Sequence, residues 1–192
     1  MDDPDDTINE ISSHLPMPRL VARSWTLDLA TAAFKLYGDP IAMRFMRPFY
    51  PLADLAAMRE RLREIIERND TYVGRMGSWP LFKRDTDAMV GVVLLKPLPE
   101  SEKIEVGWHL LRTHWGHGYA TEAGRAALVY GFEQLRLETI YAVVNPGNTP
   151  SIRVCQRLNM RHLGRTSDYY ERELEFFLID RKAFGNDDSR EG

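Results

Sequence analysis

The chain of 192 residues has the length of one domain at roughly 150 residues apiece. A chain of this size buries about 70% of its unfolded surface, so it needs no metal or disulfide staple. Its 44% apolar and 28% charged residues exclude a disordered or collagen-like polymer. A single cysteine, Cys155, excludes an internal disulfide framework and any multi-cysteine zinc site. The formal net charge of −3 is uneven: five acids and no base in residues 1–10, three acids and one base in 186–192, and 24 bases against 20 acids between them. Such a body suits a small polyanionic ligand and lacks the basic excess of a nucleic-acid binder. The longest apolar run, Met89 to Leu95, falls well short of the roughly 20 residues that span a bilayer. The acidic start MDDPDDTINE is unlike a secretory signal. We expect a cytoplasmic protein that engages neither membrane nor nucleic acid.

Elements follow from periodicity. Alternation over Leu20 to Trp25 predicts a first strand, and Leu27 to Leu36 a helix with Thr26 or Asp28 near its N-cap and Gly38 at its end. Leu55, Met58, Leu62, Ile65 and Ile66 make one face of a helix over 51–69, which Asn69-Asp70 stops. Strands are expected over 71–83 and 88–97 about the turn Arg84-Asp85-Thr86-Asp87. The continuous apolar run from Val90 reads as a central strand. A strand over 103–111, a loop with two glycines and a helix over 119–135 come next. Then follow a strand over 139–144, a short helix over 150–158 begun by Asn148 or Thr149, and a closing strand pair over 160–168 and 171–180. This order predicts one α/β domain with a mixed sheet and flanking helices.

The most informative stretch is Arg112-Thr-His-Trp-Gly-His-Gly-Tyr-Ala-Thr-Glu-Ala, which leaves a strand, turns through two glycines and enters a helix. Backbone N–H groups at a helix start lack internal partners and sit at the positive end of the helix dipole. Glycines let that backbone approach a phosphate closely. A pyrophosphate cradle is the functional reading; a tight glycine connection in a βα unit is the bland one. No Gly-Lys-Ser/Thr follows for a Walker loop. The dinucleotide pattern fails because Thr121 stands where its third glycine belongs, and no acid follows in the next strand for a ribose. Asn148 and Ser151 fall near the same sheet edge and could bind a ligand arm, or simply cap a helix. Gly107, inside a strand, marks a bulge or a close backbone contact.

The strings Glu105-Val-Gly-Trp, Trp115-Gly-His-Gly-Tyr-Ala-Thr-Glu-Ala, Asn148-x-x-Ser151 and Leu158-Asn-Met together resemble the GNAT N-acetyltransferases. Within them the resemblance is strongest to the branch that includes the ribosomal-protein N-terminal acetyltransferases, whose first strand Pro18-Arg-Leu-Val-Ala-Arg-Ser-Trp-Thr also resembles. The resemblance covers about residues 15–183. It implies a sheet splayed in the middle between strands 103–111 and 139–144, with acetyl-CoA wedged in the gap as acyl donor. It implies one acetyltransferase domain over 15–185, between an acidic tail at 1–14 and a second tail at 186–192. Three positions depart from the family pattern: Thr113 where Gln or Arg is usual, Cys155 where many members place a proton-donating tyrosine, and Asn159 where glycine precedes Met160.

Acyl transfer to an amine needs a cofactor grip, a deprotonated amine, oxyanion stabilisation and a proton for the departing thiolate. The grip is assigned to the backbone of Trp115, Gly116, His117, Gly118, Tyr119, Ala120 and Thr121. Leu110 and Leu111 line the pantetheine arm, with Asn148 and Ser151 beside it. Glu105 is the expected base, acting through water. Ser151 is the expected proton donor or thiol contact, with Tyr169 and Tyr170 as rivals, and Asp168 could orient the amine. Cys155 on a helix is more often a small buried hydrophobe than an acyl-accepting nucleophile. His114 and His117 could chelate a metal only with a third ligand that is not evident, so no metal is expected. The implied reaction is direct transfer from acetyl-CoA to a primary amine: a protein N-terminus, a lysine or a small molecule. The chain would act as monomer or homodimer. A non-catalytic acyl-CoA-binding module is the alternative, and a nucleotide-binding domain a remote one.

Overall fold

The computed structural model describes residues 15–46, 51–72 and 76–188. Strand β1 (Leu20–Ala22) leads through a 3-10 turn at Leu27–Leu29 into α1 (Ala30–Tyr37). A short helix α2 (Pro40–Met43) follows, then α3 (Leu55–Thr71). The meander β2 (Gly77–Lys83), β3 (Met89–Pro97) and β4 (Ile104–Leu110) precedes a 3-10 turn at Arg112–His114 and α4 (Tyr119–Val129). The chain closes with β5 (Thr139–Val144), α5 (Thr149–Arg157), β6 (Arg161–Thr166), β7 (Leu174–Asp180) and α6 (Arg181–Asp188). The seven strands form one sheet in the order β1-β2-β3-β4-β5-β7-β6. All neighbours are antiparallel except β4 and β5, which run parallel about the α4 crossover.

Helix α3 forms where the spacing of Met58, Leu62 and Ile65 puts three buried side chains on one face, each contributing about 1.5–3 kcal/mol. Its start is fixed by the Asp54 carboxylate, which accepts from the Ala57 N–H at 2.8 Å, an N-cap. Together α1 and α3 cover one face of the sheet, with Trp25, Leu36, Phe82 and Val92 in that core. The other face is covered by α4 and α5, with Val106, Ala123, Ala127, Leu128 and Val154. Alternation in β4 sends Val106, Trp108 and Leu110 toward α4 and leaves Glu105, Gly107 and His109 on the α1–α3 side.

Several sequence expectations need correction. The helix expected over 119–135 is α-helical only to Val129 and ends in a π turn, Tyr130–Gln134, closed by Leu135 N–H donating to the Tyr130 carbonyl at 3.1 Å. The segment from 71 is not strand: α3 runs to Thr71, β2 starts at Gly77, and residues 73–75 lie outside the described residues. Thr26 flanks the first turn without a side-chain cap bond. Gly107 marks no bulge, because the β3–β4 register runs unbroken from Gly91↔Leu110 to Pro97↔Ile104. Glycine there accommodates a close approach: a Cβ would stand 3.1 Å from Leu94 Cγ across the ladder, tighter than an ordinary contact. Helices α2 and α6 are additions to the expected set. No helix among the described residues is long and apolar enough to cross a membrane.

Candidate active site

The glycine loop delivers the geometry its sequence suggests. Gly116 and Gly118 both have φ of +80°, the left-handed region open to glycine at little cost. Gly118 is the N-cap of α4 and offers no side chain to its amides. The first N–H of the helix with a partner is that of Glu122, which donates to the Gly118 carbonyl at 3.1 Å. The amides of Tyr119, Ala120 and Thr121 are therefore without intrahelical partners, at the positive end of an eleven-residue helix. Arg19 braces this turn. Its NH1 donates to the His117 carbonyl at 2.9 Å, and its backbone N–H and Nε donate to the Glu122 carboxylate at 2.8 and 2.7 Å. Its guanidinium lies 4.7 Å from the centre of the Tyr119 ring.

Beside the loop the sheet opens. β4 and β5 share one register pair, Glu105↔Tyr141, whereas β3–β4 and β5–β7 are paired along their lengths. Beyond Glu105 the two parallel strands diverge toward the glycine loop, forming a fork. A cleft of about 2110 Å³ occupies it and continues between α3 and the sheet. That is about twice the roughly 1,000 Å³ of a large small-molecule site, enough for a cofactor and an acceptor together. Leu110, Trp115, Gly116, Gly118, Tyr119, Ala120, Thr121, Asn148 and Ser151 all line it. Leu111 does not: one position past Leu110, it turns to the opposite face and packs in the α1–α3 core. His117 is also off the cleft wall, its ring stacked 5.7 Å from that of Tyr119. Trp115 is 42% exposed and folds back so that Nε1 donates to the Leu110 carbonyl at 2.9 Å.

At the apex of the fork sits a polar cluster. Glu105 is only 5% exposed, and its Oε1 accepts from Lys96 Nζ at 2.6 Å and from the Tyr170 hydroxyl. Lys96 Nζ also donates to the Tyr170 oxygen at 2.8 Å. The ladder explains the ion pair, since Lys96 and Glu105 are directly opposed and side chains of such pairs share a face. Both of these bonds go to Oε1, and among the described residues Oε2 has no such partner. Tyr170 arrives from the β6–β7 hairpin with φ of +57°. Burial, reinforced by the neighbouring Glu105 charge, pushes its phenol well above the ordinary range, so Tyr170 holds its proton at neutral pH.

The remaining expected residues separate cleanly. The Asn148 carboxamide caps α5, accepting from Ser151 N–H at 3.3 Å, while Ser151 remains on the cleft wall. Cys155 is fully buried, and burial pushes its thiol up to about 12; it packs as a core residue, unlike the exposed thiolates of reactive cysteines. Tyr169 turns away into a small cluster with Leu98 and Leu174 and accepts from Lys103 Nζ at 3.0 Å. The backbone N–H of Asp168 donates to Thr166 Oγ1 at 3.2 Å, and Asp168 stays outside the cleft lining. Among the described residues no group of three or more His, Cys, Asp or Glu could hold a metal. Sequence reasoning missed Lys96 and Arg19. Lys96 could have been found by setting the two strands in register, because a lone lysine ends an otherwise apolar β3. Arg19 carried no local signal.

Comparison with known proteins agrees with this geometry. Residues 19–161 match the family model described as Acetyltransferase (GNAT) domain. The chain is 31% identical over 153 residues to "Uncharacterized N-acetyltransferase p20" of Bacillus licheniformis, covering 79% of this chain and 84% of that protein. It is 26% identical over 151 residues to "Uncharacterized N-acetyltransferase YnaD" of Bacillus subtilis, covering 79% and 84%. Among solved structures, a GNAT-family acetyltransferase from Bacillus anthracis superposes with a TM-score of 0.74 at 21% identity, over 88% of this chain and 98% of that one. RimL, a ribosomal L7/L12 alpha-N-protein acetyltransferase solved in complex with coenzyme A, superposes with 0.72 at 15% identity over the same shares. A splayed mixed sheet, a glycine turn with free amides and a family model spanning most of the chain make this protein a member of the GNAT N-acetyltransferase family, which transfers acetyl groups from acetyl-CoA to amines.

Proposed function

We propose that the chain acetylates a primary amine by direct transfer, with acetyl-CoA and the acceptor bound together in the one cleft. The observation that carries the proposal is the Lys96–Glu105–Tyr170 cluster at the only point where β4 and β5 join. The residues present fit the cofactor. Amides at the start of α4 are free to hold a diphosphate, and the fork offers Leu110 and a free β4 edge to an extended pantetheine arm. When bound, acetyl-CoA supplies a thioester carbonyl to which the amine nitrogen bonds as the C–S bond breaks, so the amine loses a proton and the thiolate gains one.

Within this reading the Oε2 oxygen of Glu105 receives the amine proton, directly or through a water, while the ion pair with Lys96 holds the carboxylate in place. Tyr170 holds a proton at its hydroxyl and is the first candidate to protonate the thiolate, standing in for the tyrosine that Cys155 replaces. Ser151, which also lines the cleft, is the second. The acceptor enters from the α1–α3 side, where Glu105 and His109 face. Protein N-termini, lysines and small amines all remain within the reading.

The test is thiol release from acetyl-CoA with four acceptors: a peptide with a free N-terminal serine, a lysine peptide, kanamycin and spermidine. Turnover with at least one is expected. Glu105→Gln should then slow it about 10²-fold, within the range of general acid–base contributions, and most at low pH where the amine is protonated. Tight coenzyme A binding without thiol release on any of the four would favour a non-catalytic acyl-CoA-binding module instead.

A further inference from the structure

On the α1–α3 face of β4, Glu105, Gly107 and His109 stand in a row, opposed across the ladder by Lys96, Leu94 and Val92. The first pair forms the cluster already described. The last has no such explanation. His109 Nδ1 is buried and makes no hydrogen bond, although its ring lines the cleft. Its neighbours supply none: Val92 opposite is apolar, and the Tyr37 ring of α1 meets the imidazole edge-on at 6.3 Å. The charged groups facing it are Arg61 of α3 and Lys96 of β3, and burial with these two cations pushes the imidazole down to about 4. A neutral ring offers one donor and one acceptor. Most buried polar groups are satisfied in folded proteins, and an exception calls for an explanation, of which a polar group brought into the cleft is one.

Four residues of strand separate His109 from Glu105, about 13 Å at 3.3 Å per residue, so the ring is too far away to share Glu105's proton. That distance instead suits a substrate whose amine lies at Glu105 and whose body extends along β4. We propose that His109 is a specificity-determining residue that hydrogen-bonds an uncharged polar group of the acceptor, a peptide carbonyl or a hydroxyl, remote from the reacting amine. The inference deepens the amine-acceptor reading and rests on it. It favours peptides and hydroxylated amines over simple polyamines, whose remaining polar groups are cationic and would meet Arg61 and Lys96.

The test uses the full chain with the serine peptide, kanamycin and spermidine. His109→Phe should leave coenzyme A affinity unchanged and raise KM for the peptide or kanamycin at least tenfold, with kcat changed less than threefold. His109→Gln should recover part of the loss, and KM for spermidine should not move. In the wild type, the imidazole nitrogen resonances of His109 should shift when the peptide or kanamycin joins the coenzyme A-loaded protein, and not with coenzyme A alone. This measurement stands even where a variant fails to fold. Turnover with an unaltered KM in both variants would overturn the inference and leave the amine-acceptor reading intact, as would a His109 shift produced by coenzyme A alone. No turnover with any amine would overturn both.

Discussion

Glu105 and Tyr141 form the single register pair between β4 and β5, so the residue that closes the sheet is the one that carries the buried carboxylate. The same position is fixed from the other side by Lys96. Placing an ion pair where two strands part puts charge at the inner end of the cleft.

Removing either partner of that pair leaves an uncompensated buried charge, which costs about 3–5 kcal/mol. Lys96→Met should therefore lower Tm by roughly 6 to 20 °C for a domain of this size, measured by calorimetry. Tyr170→Phe removes a neutral partner and should cost far less stability, while reducing kcat about 10²-fold if the phenol supplies the thiolate proton. A variant with normal kcat would move that role to Ser151.

Arg19 and Glu122 tie β1 to the start of α4. Arg19→Met leaves the Glu122 carboxylate, only 10% exposed, unneutralised near the free amides that would hold an anion. Coenzyme A Kd should rise about tenfold, more at low salt than at high. Adding Glu122→Gln should restore much of the affinity, and calorimetric titration of the four proteins in a double-mutant cycle measures the coupling. Strictly additive losses would show that the two residues act apart.

Cys155 is fully buried on α5 with its thiol pushed up to about 12. Native protein should resist iodoacetamide at pH 8 and label only after denaturation. Cys155→Ala should turn over at no less than half the wild-type rate; loss of activity without loss of fold would restore the cysteine as a nucleophile.

Burial, with the Lys96 and Arg61 charges, pushes the His109 imidazole down to about 4 in the folded chain, against 6.5 in an unfolded one. Between these values the unfolded state binds the extra proton, so stability is fully present above about pH 6.5 and is lost as pH falls toward 4. The size is about 3 kcal/mol at 1.36 kcal/mol per unit. Urea denaturation across this range should show that slope in the wild type, and His109→Phe should flatten it.

Much of this architecture was legible from pattern alone. The apolar run in β3, the helical face Met58, Leu62, Ile65 and the glycine turn before α4 each carry a local period or a backbone demand. Asn148 before Thr149-Pro150 announced the start of α5. Two overlooked helices were also written in the chain: Asp39-Pro40 opens α2 with a cap and an N-terminal proline, and Asp180 accepts from Ala183 N–H at 2.8 Å to begin α6. The site was harder. Lys96 and Tyr170 meet Glu105 only through strand pairing and a hairpin 65 residues downstream, relations that no local window contains. Gly107 left two readings open because close approach, here to Leu94, and a bulge leave the same mark in a sequence.

The cradle at the start of α4 is tested most directly by following backbone amide resonances during coenzyme A titration. The amides of Gly116 to Thr121 should move furthest and saturate together, and Gly118→Val, which forces a β-branched side chain to φ of +80°, should abolish those shifts while the remaining spectrum stays folded. Saturable binding that left residues 116 to 121 unmoved, or survived Gly118→Val with unchanged affinity, would contradict a diphosphate held by this turn.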